Sequence, residues 1–119
     1  MAAPNLFGSS TATGKTAVEL LTTATSNVVT NSAASNTVAK IENIVLTNYS
    51  GSVVSGNVIF NRGGTSYYVG GNITLPANSI LTVVGKDVSF YLEEGDVLQA
   101  NVSANTAISI TVGYELIAS

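Results

Sequence analysis

From Ile108 to Leu116 apolar and small polar residues alternate without a break. Ile108, Ile110, Val112, Tyr114 and Leu116 fall on one side, and Ser109, Thr111, Gly113 and Glu115 on the other. Successive side chains of a strand point to opposite faces, so this period of two predicts a strand with one dry and one wet side. The same period recurs upstream. Val88, Phe90 and Leu92 share a face, as do Val54, Val58 and Phe60 around Gly56. Ile44 and Leu46 share a face within a strand predicted over Thr37–Asn48. Ile41 is out of phase with them, which places a bulge near Glu42-Asn43. Shorter strands are expected at Asn27–Thr30, Ser66–Val69, Ser79–Val84 and Val97–Ser103. Thr13–Thr23 fits either a strand or, through GKTAVELL, a short helix; the threonines on both sides favour the strand.

Turn residues separate these runs. Tyr49–Ser52, Asn61–Gly64, Pro76–Asn78, Gly85–Asp87, Glu93–Asp96 and Ala104–Thr106 each carry the Gly, Asn, Asp, Ser or Pro that reversals favour. Gly70-Gly71 is expected to break the strand that carries Tyr67 and Tyr68. Eight to nine short strands with turns every eight to twelve residues predict an all-β fold, an antiparallel β-sandwich of jelly-roll-like or immunoglobulin-like form. Strands do not alternate with long helices, which excludes a parallel α/β sheet. Residues 1–12 lack a period and read as an extended N-terminal arm with an apolar tip, Leu6-Phe7, after Asn5. Residues 13–119 form one domain.

Composition narrows the chemistry. The 119 residues include no cysteine and no histidine, which removes disulfides, thiolate metal sites and the commonest general base and metal ligand. Charged residues make up 9%, against roughly 25% in a typical soluble domain, and Ser, Thr, Asn and Gly stand in their place. A free monomer usually carries more charge to stay apart from its neighbours. The deficit therefore points to a surface covered by other chains. The four basic residues, Lys15, Lys40, Arg62 and Lys86, are scattered and cannot track a phosphate backbone, so no nucleic-acid partner is expected. No apolar run has the length of a membrane-spanning helix, and Met1–Ser10 lacks the features of a secretory leader.

Candidate motifs for catalysis fail on spacing. Between Gly8 and Gly14-Lys15-Thr16 stand five residues, one more than a phosphate-binding loop contains, and no buried strand precedes them. Glu93-Glu94-Gly95-Asp96 lacks the spacing of a calcium loop and reads as a solvated turn at a strand end. Nucleophile triads fail for want of histidine. No catalytic, cofactor-binding or metal-binding residue is assigned, and the chain is not expected to be an enzyme. Asn48, Asn72 and Asn101 each open an Asn-X-Ser/Thr triplet, a pattern expected by chance in so Asn- and Ser-rich a chain. The candidate interface residues are Asn5, Leu6 and Phe7 of the arm and Tyr67 and Tyr68 of the hairpin. The two tyrosines are neighbours on a strand, so one is expected in the core and one at the rim.

The last 45 residues carry a series of turn motifs: Pro76–Asn78, Lys86-Asp87, Tyr91–Asp96, Ser103–Asn105 and Tyr114-Glu115. Together with Asn5–Ser10 and Gly14–Thr16, these resemble small virion proteins of tailed bacteriophages, cyanophages included. The resemblance implies a capsid decoration (cement) protein on the virion surface, made in the host cytoplasm. It would bind between subunits of the major capsid protein, and a homotrimer would suit three-fold positions. The alternatives are a neck, tail or fibre-associated protein of the same particle, and a glycan- or receptor-binding sandwich that would expose Tyr67 or Tyr68.

Overall fold

The computed structural model describes residues 11–85, 89–104 and 108–118. It contains nine strands: β1 (Thr11–Leu20), β2 (Ser26–Thr30), β3 (Thr37–Asn48), β4 (Val54–Arg62), β5 (Thr65–Leu75), β6 (Ser79–Val84), β7 (Phe90–Leu92), β8 (Val97–Val102) and β9 (Ile108–Ala118). Thr11 and Ala12, expected in the arm, already belong to β1. The ambiguous segment after them is strand, as its threonines favour.

All pairings are antiparallel and nested. β1 pairs β9, β2 pairs β8, β3 pairs both β6 and β7, and β4 pairs β5. Further pairs, β3 with β9 and β4 with β8, assemble two sheets of order β1-β9-β3-β6/β7 and β2-β8-β4-β5. A long hairpin folded over on itself in this way is the jelly roll, which settles the choice between the two expected sandwich forms.

The core lies between the sheets and follows the alternation in the sequence. The first sheet contributes Ile41, Ile44, Leu46, Leu92, Ile108, Ile110 and Val112, and the second Val58, Leu75, Leu98 and Val102. The bulge falls where Ile41 lost phase: the β3–β9 register shifts between Ile41 and Asn43, which returns both Ile41 and Ile44 to the inner face. Opposite this bulge, a Cβ on Gly113 would stand 2.9 Å from both terminal atoms of the Asn43 amide. Glycine leaves room for that amide, whose Oδ1 accepts from the Gly113 N–H at 3.0 Å.

Two expectations are corrected. Gly70-Gly71 does not break β5; the strand runs through it. The glycines instead accommodate an irregular register, with shifts between Gly56 and Val58 and between Val58 and Ile59 of β4. A Cβ at Gly70 would come within 2.5 Å of Ile73 Cδ1, so the glycine lets Ile73 fold over the strand. Nor is Glu93–Asp96 solvated as a whole. Glu94 and Asp96 are buried in a polar knot with the equally buried Asn31. Asn31 Nδ2 donates to Thr37 O and Leu92 O, and its Oδ1 accepts from Ser35 Oγ and Thr37 Oγ1. Glu94 accepts from the Asn36 N–H. Gly95, at φ 89°, turns its N–H onto Asn31 O at 2.7 Å. Asp96 bonds back to the Glu93 N–H, as an Asp in a turn does.

Candidate interface

The outer face of the first sheet can be read row by row from its register. One row is Leu20, Ser109, Thr47 and Ile80; the next is Val18, Thr111, Val45 and Thr82; a third is Thr16, Gly113 and Asn43. Every side chain here is aliphatic, a hydroxyl or an amide, and none is charged. Val18, Leu20 and Ile80 are exposed by 69%, 65% and 71%. Charge begins at the margin of these rows, with Glu42 in the bulge beside Asn43 and with Glu115 opposite Lys40. The alternation that buries Ile110 and Val112 places their neighbours on this face. The aliphatic residues at its margins, on β1 and β6, gain nothing from the core. An uncharged strip of hydroxyls flanked by exposed aliphatic residues can be covered by another protein without stripping water from charges.

The outer face of the second sheet sets polar ladders beside the apolar side chains of Ile59, Val97 and Tyr68. Asn57 Nδ2 donates to Asn101 Oδ1, Asn101 Nδ2 to Thr25 Oγ1, and Gln99 Nε2 to Asn27 Oδ1. Such side chains satisfy one another across strands and leave few groups for a partner.

The hairpin residues Tyr67 and Tyr68 lie on β5, an edge strand, opposite Phe60 and Ile59. Contrary to expectation, neither is core: they are exposed by 57% and 61%. The five residues Thr65–Val69 are exposed on both faces, and among the described residues no strand packs over this end of the hairpin. The two rings therefore point away from each other, and they do not form one stacking platform. Asn5, Leu6 and Phe7 lie outside the described residues.

Beside the turn of this hairpin Arg62 clasps the acidic turn before β8. Its Nε donates to Asp96 Oδ1 at 2.9 Å and its Nη2 to Asp96 Oδ2 at 2.6 Å; Nη2 also reaches Glu93 Oε2 at 3.1 Å. The hydrogen-bonded Asp96 carboxylate, with Glu93 beside it, raises the Arg62 pKa above its ordinary value, against a smaller opposing effect of burial. The guanidinium also stands 5.0 Å from the centre of the Phe60 ring. The groove beside this clasp is lined by Arg62, Gly63 and Glu93–Asp96. Its carboxylates are engaged by the arginine and by backbone N–H groups, which is the arrangement of a structural tie. Among the described residues, no three acidic side chains converge as a metal site would require.

Asn48 of the first Asn-X-Ser triplet is 1% exposed. Its Nδ2 donates to Ser52 O, Leu75 O and Pro76 O, and its Oδ1 accepts from the Ser50 N–H and hydroxyl. It is a structural hub with no room for a glycan. Nothing in the sequence separated Asn31 and Asn48 from the many asparagines at loops and faces.

The sequence matches no protein-family profile and no curated protein. By structure, the chain is similar to a solved subunit of Bacillus endospore appendages, described as a novel family of disulfide-linked pili. The identity is 12% and the TM-score 0.56, over 92% of this chain and 87% of that one. At that identity the likeness is one of fold: the chain is a two-sheet β-sandwich of the kind found in a protein that builds appendages.

Proposed function

We propose that the chain is a structural subunit that acts by packing against other protein chains, and that its setting is the capsid of a tailed bacteriophage, where it serves as a decoration protein. The observation that carries the first part is the uncharged outer face of the first sheet, with Val18, Leu20 and Ile80 exposed on it. Burial of such a face on another protein releases apolar surface from water without stripping water from charges. The setting is supported by the turn motifs from Pro76 to Glu115 and by the scarcity of charge. Many copies, each bound weakly to several capsid subunits, would hold a shell by summed contacts.

The test is binding to purified capsids that lack the protein. The native chain is expected to saturate a fixed number of sites, and a chain without residues 1–10 to bind less while keeping its β-sheet circular dichroism. Absence of saturable binding by the native chain contradicts the capsid setting. A second reading, a subunit of a filament, is favoured by the fold likeness to an appendage pilus. It predicts fibres of the purified chain in electron micrographs and no saturable capsid sites.

A further inference from the structure

A sandwich has four sheet edges, and here three of them are spoiled for strand addition. β2 has five residues and a register shift between Asn27 and Val29. β5 carries two register shifts, a glycine pair, and Asn72 at φ 51°. The third edge is split between β6, of six residues, and β7, of three. Short, bulged or interrupted edges are how sandwiches avoid unwanted pairing. β1 differs. Its ten residues pair with β9 in unbroken register from Thr11 to Leu20, with no proline and no bulge. Among the described residues its outer side has no neighbour.

The open groups on that side can be identified. The Leu21 N–H donates to Ile108 O at 2.9 Å, so residues of odd number turn their backbone groups towards β9. Gly14, Thr16, Val18 and Leu20 therefore turn theirs outward. Lys15 and Glu19 are the charged residues of β1, and neither forms an ion pair among the described residues. They stand four apart, on the same face, on either side of Ala17.

This geometry points to a second copy of the chain as the occupant of the edge, the two β1 strands pairing antiparallel about a two-fold axis at Ala17. In that register Gly14 meets the partner's Leu20 and Thr16 the partner's Val18, in pairs that exchange backbone hydrogen bonds. Lys15 meets the partner's Glu19, and Glu19 the partner's Lys15, in the alternate pairs where side chains come closest. A slide of four residues one way sets Lys15 against its own copy; four the other way does the same to Glu19. The charges thus select one register and repel those two alternatives. The interface is isologous, as a two-fold axis requires. It joins two first sheets into one and brings the two Val18 side chains into diagonal contact, doubling the uncharged face. It does not rest on the capsid setting.

Equilibrium sedimentation of charge-reversed variants tests it, since cross-strand charge pairs set the register. The native chain is expected to be a dimer. Lys15→Glu and Glu19→Lys should each weaken it about tenfold, and the double reversal should restore it. Ala17→Cys, in a chain otherwise free of cysteine, should oxidise to a linked dimer, because cross-strand Cα atoms lie within disulfide range. Thr13→Cys should not. A native monomer, a trimer indifferent to both reversals, a double reversal that fails to restore the dimer, or equal cross-linking at Thr13 would each overturn the assignment.

Discussion

Arg62 and Asp96, 34 residues apart in sequence, meet through two parallel hydrogen bonds of 2.9 and 2.6 Å. The pair ties the end of β4 to the turn before β8. The partners are unequal, because the Asp96 side chain is 3% exposed and that of Arg62 49%. Water can replace much of the guanidinium, whereas nothing replaces the buried carboxylate, which also holds the Glu93 N–H. Asp96→Ala is therefore expected to cost about 2–3 kcal/mol, and Arg62→Ala about 1 kcal/mol. Urea unfolding checks the order: Asp96→Ala should have the lower midpoint at an unchanged slope. The reverse order would place the tie's strength in the arginine.

Asn48 fixes three stretches of chain at once, namely its own turn, the end of β5 and the turn that follows. Asn48→Ala removes Nδ2 from three carbonyls, of which Ser52 O and Pro76 O keep the hydroxyls of Ser50 and Ser79 as donors, and should cost about 2–3 kcal/mol, lowering Tm by about 10 °C. Asn48→Asp is nearly isosteric, yet it sets a carboxylate oxygen against the carbonyls of Ser52, Leu75 and Pro76. It should be at least as damaging, and thermal unfolding followed by circular dichroism compares the two. A mild Asn48→Asp would show that Nδ2 is dispensable.

Gly113 and Asn43 share one device, so their substitutions should not add. Gly113→Ala drives a Cβ into the Asn43 amide and should cost about 1–2 kcal/mol. Asn43→Ala removes one hydrogen bond, worth about 1 kcal/mol. In the double variant the steric conflict is gone, so its cost should fall well below the sum. A double-mutant cycle in urea measures the difference. Additive costs would separate the glycine from the amide.

Val18, Leu20 and Ile80 face water and lie outside the core, so replacing all three by serine should leave Tm within about 2 °C of the native value, as surface changes generally do. Association through the outer face should nevertheless be lost. Binding to the partner and thermal unfolding, measured on the same preparation, separate the two effects. A large fall in Tm would make these residues part of the fold and not of an interface.

Most of the sandwich was legible because its signal is local. The alternation of β9 places Ile108, Ile110 and Val112 in the core with Tyr114 and Leu116 packed half-buried against it, and the phase slip at Ile41 locates the bulge to within a residue. What escaped was set by contacts distant in sequence. Glu94 and Asp96 read as a solvated turn because the groups that hold them, Asn36 and Arg62, come from other strands and loops. The rule of alternation places one of Tyr67 and Tyr68 in the core and the other at the rim. The rule holds, but among the described residues no strand lies over that end of β5, and both of its faces are wet. Gly70-Gly71 read as a break because glycine pairs end most strands; on an edge they also serve as a kink through which pairing continues. The uncharged face was legible only as a shortage of charge in the composition. Its location needed the register that sets Leu20, Ser109, Thr47 and Ile80 in one row.

A cryo-electron microscopy map of tailed-phage capsids incubated with the chain to saturation tests the proposed role most directly. The account predicts sandwich density at repeated sites on the shell, with the face bearing Val18, Leu20 and Ile80 covered by neighbouring chains. A particle without such density, or one in which that face looks into solvent at every site, would contradict it.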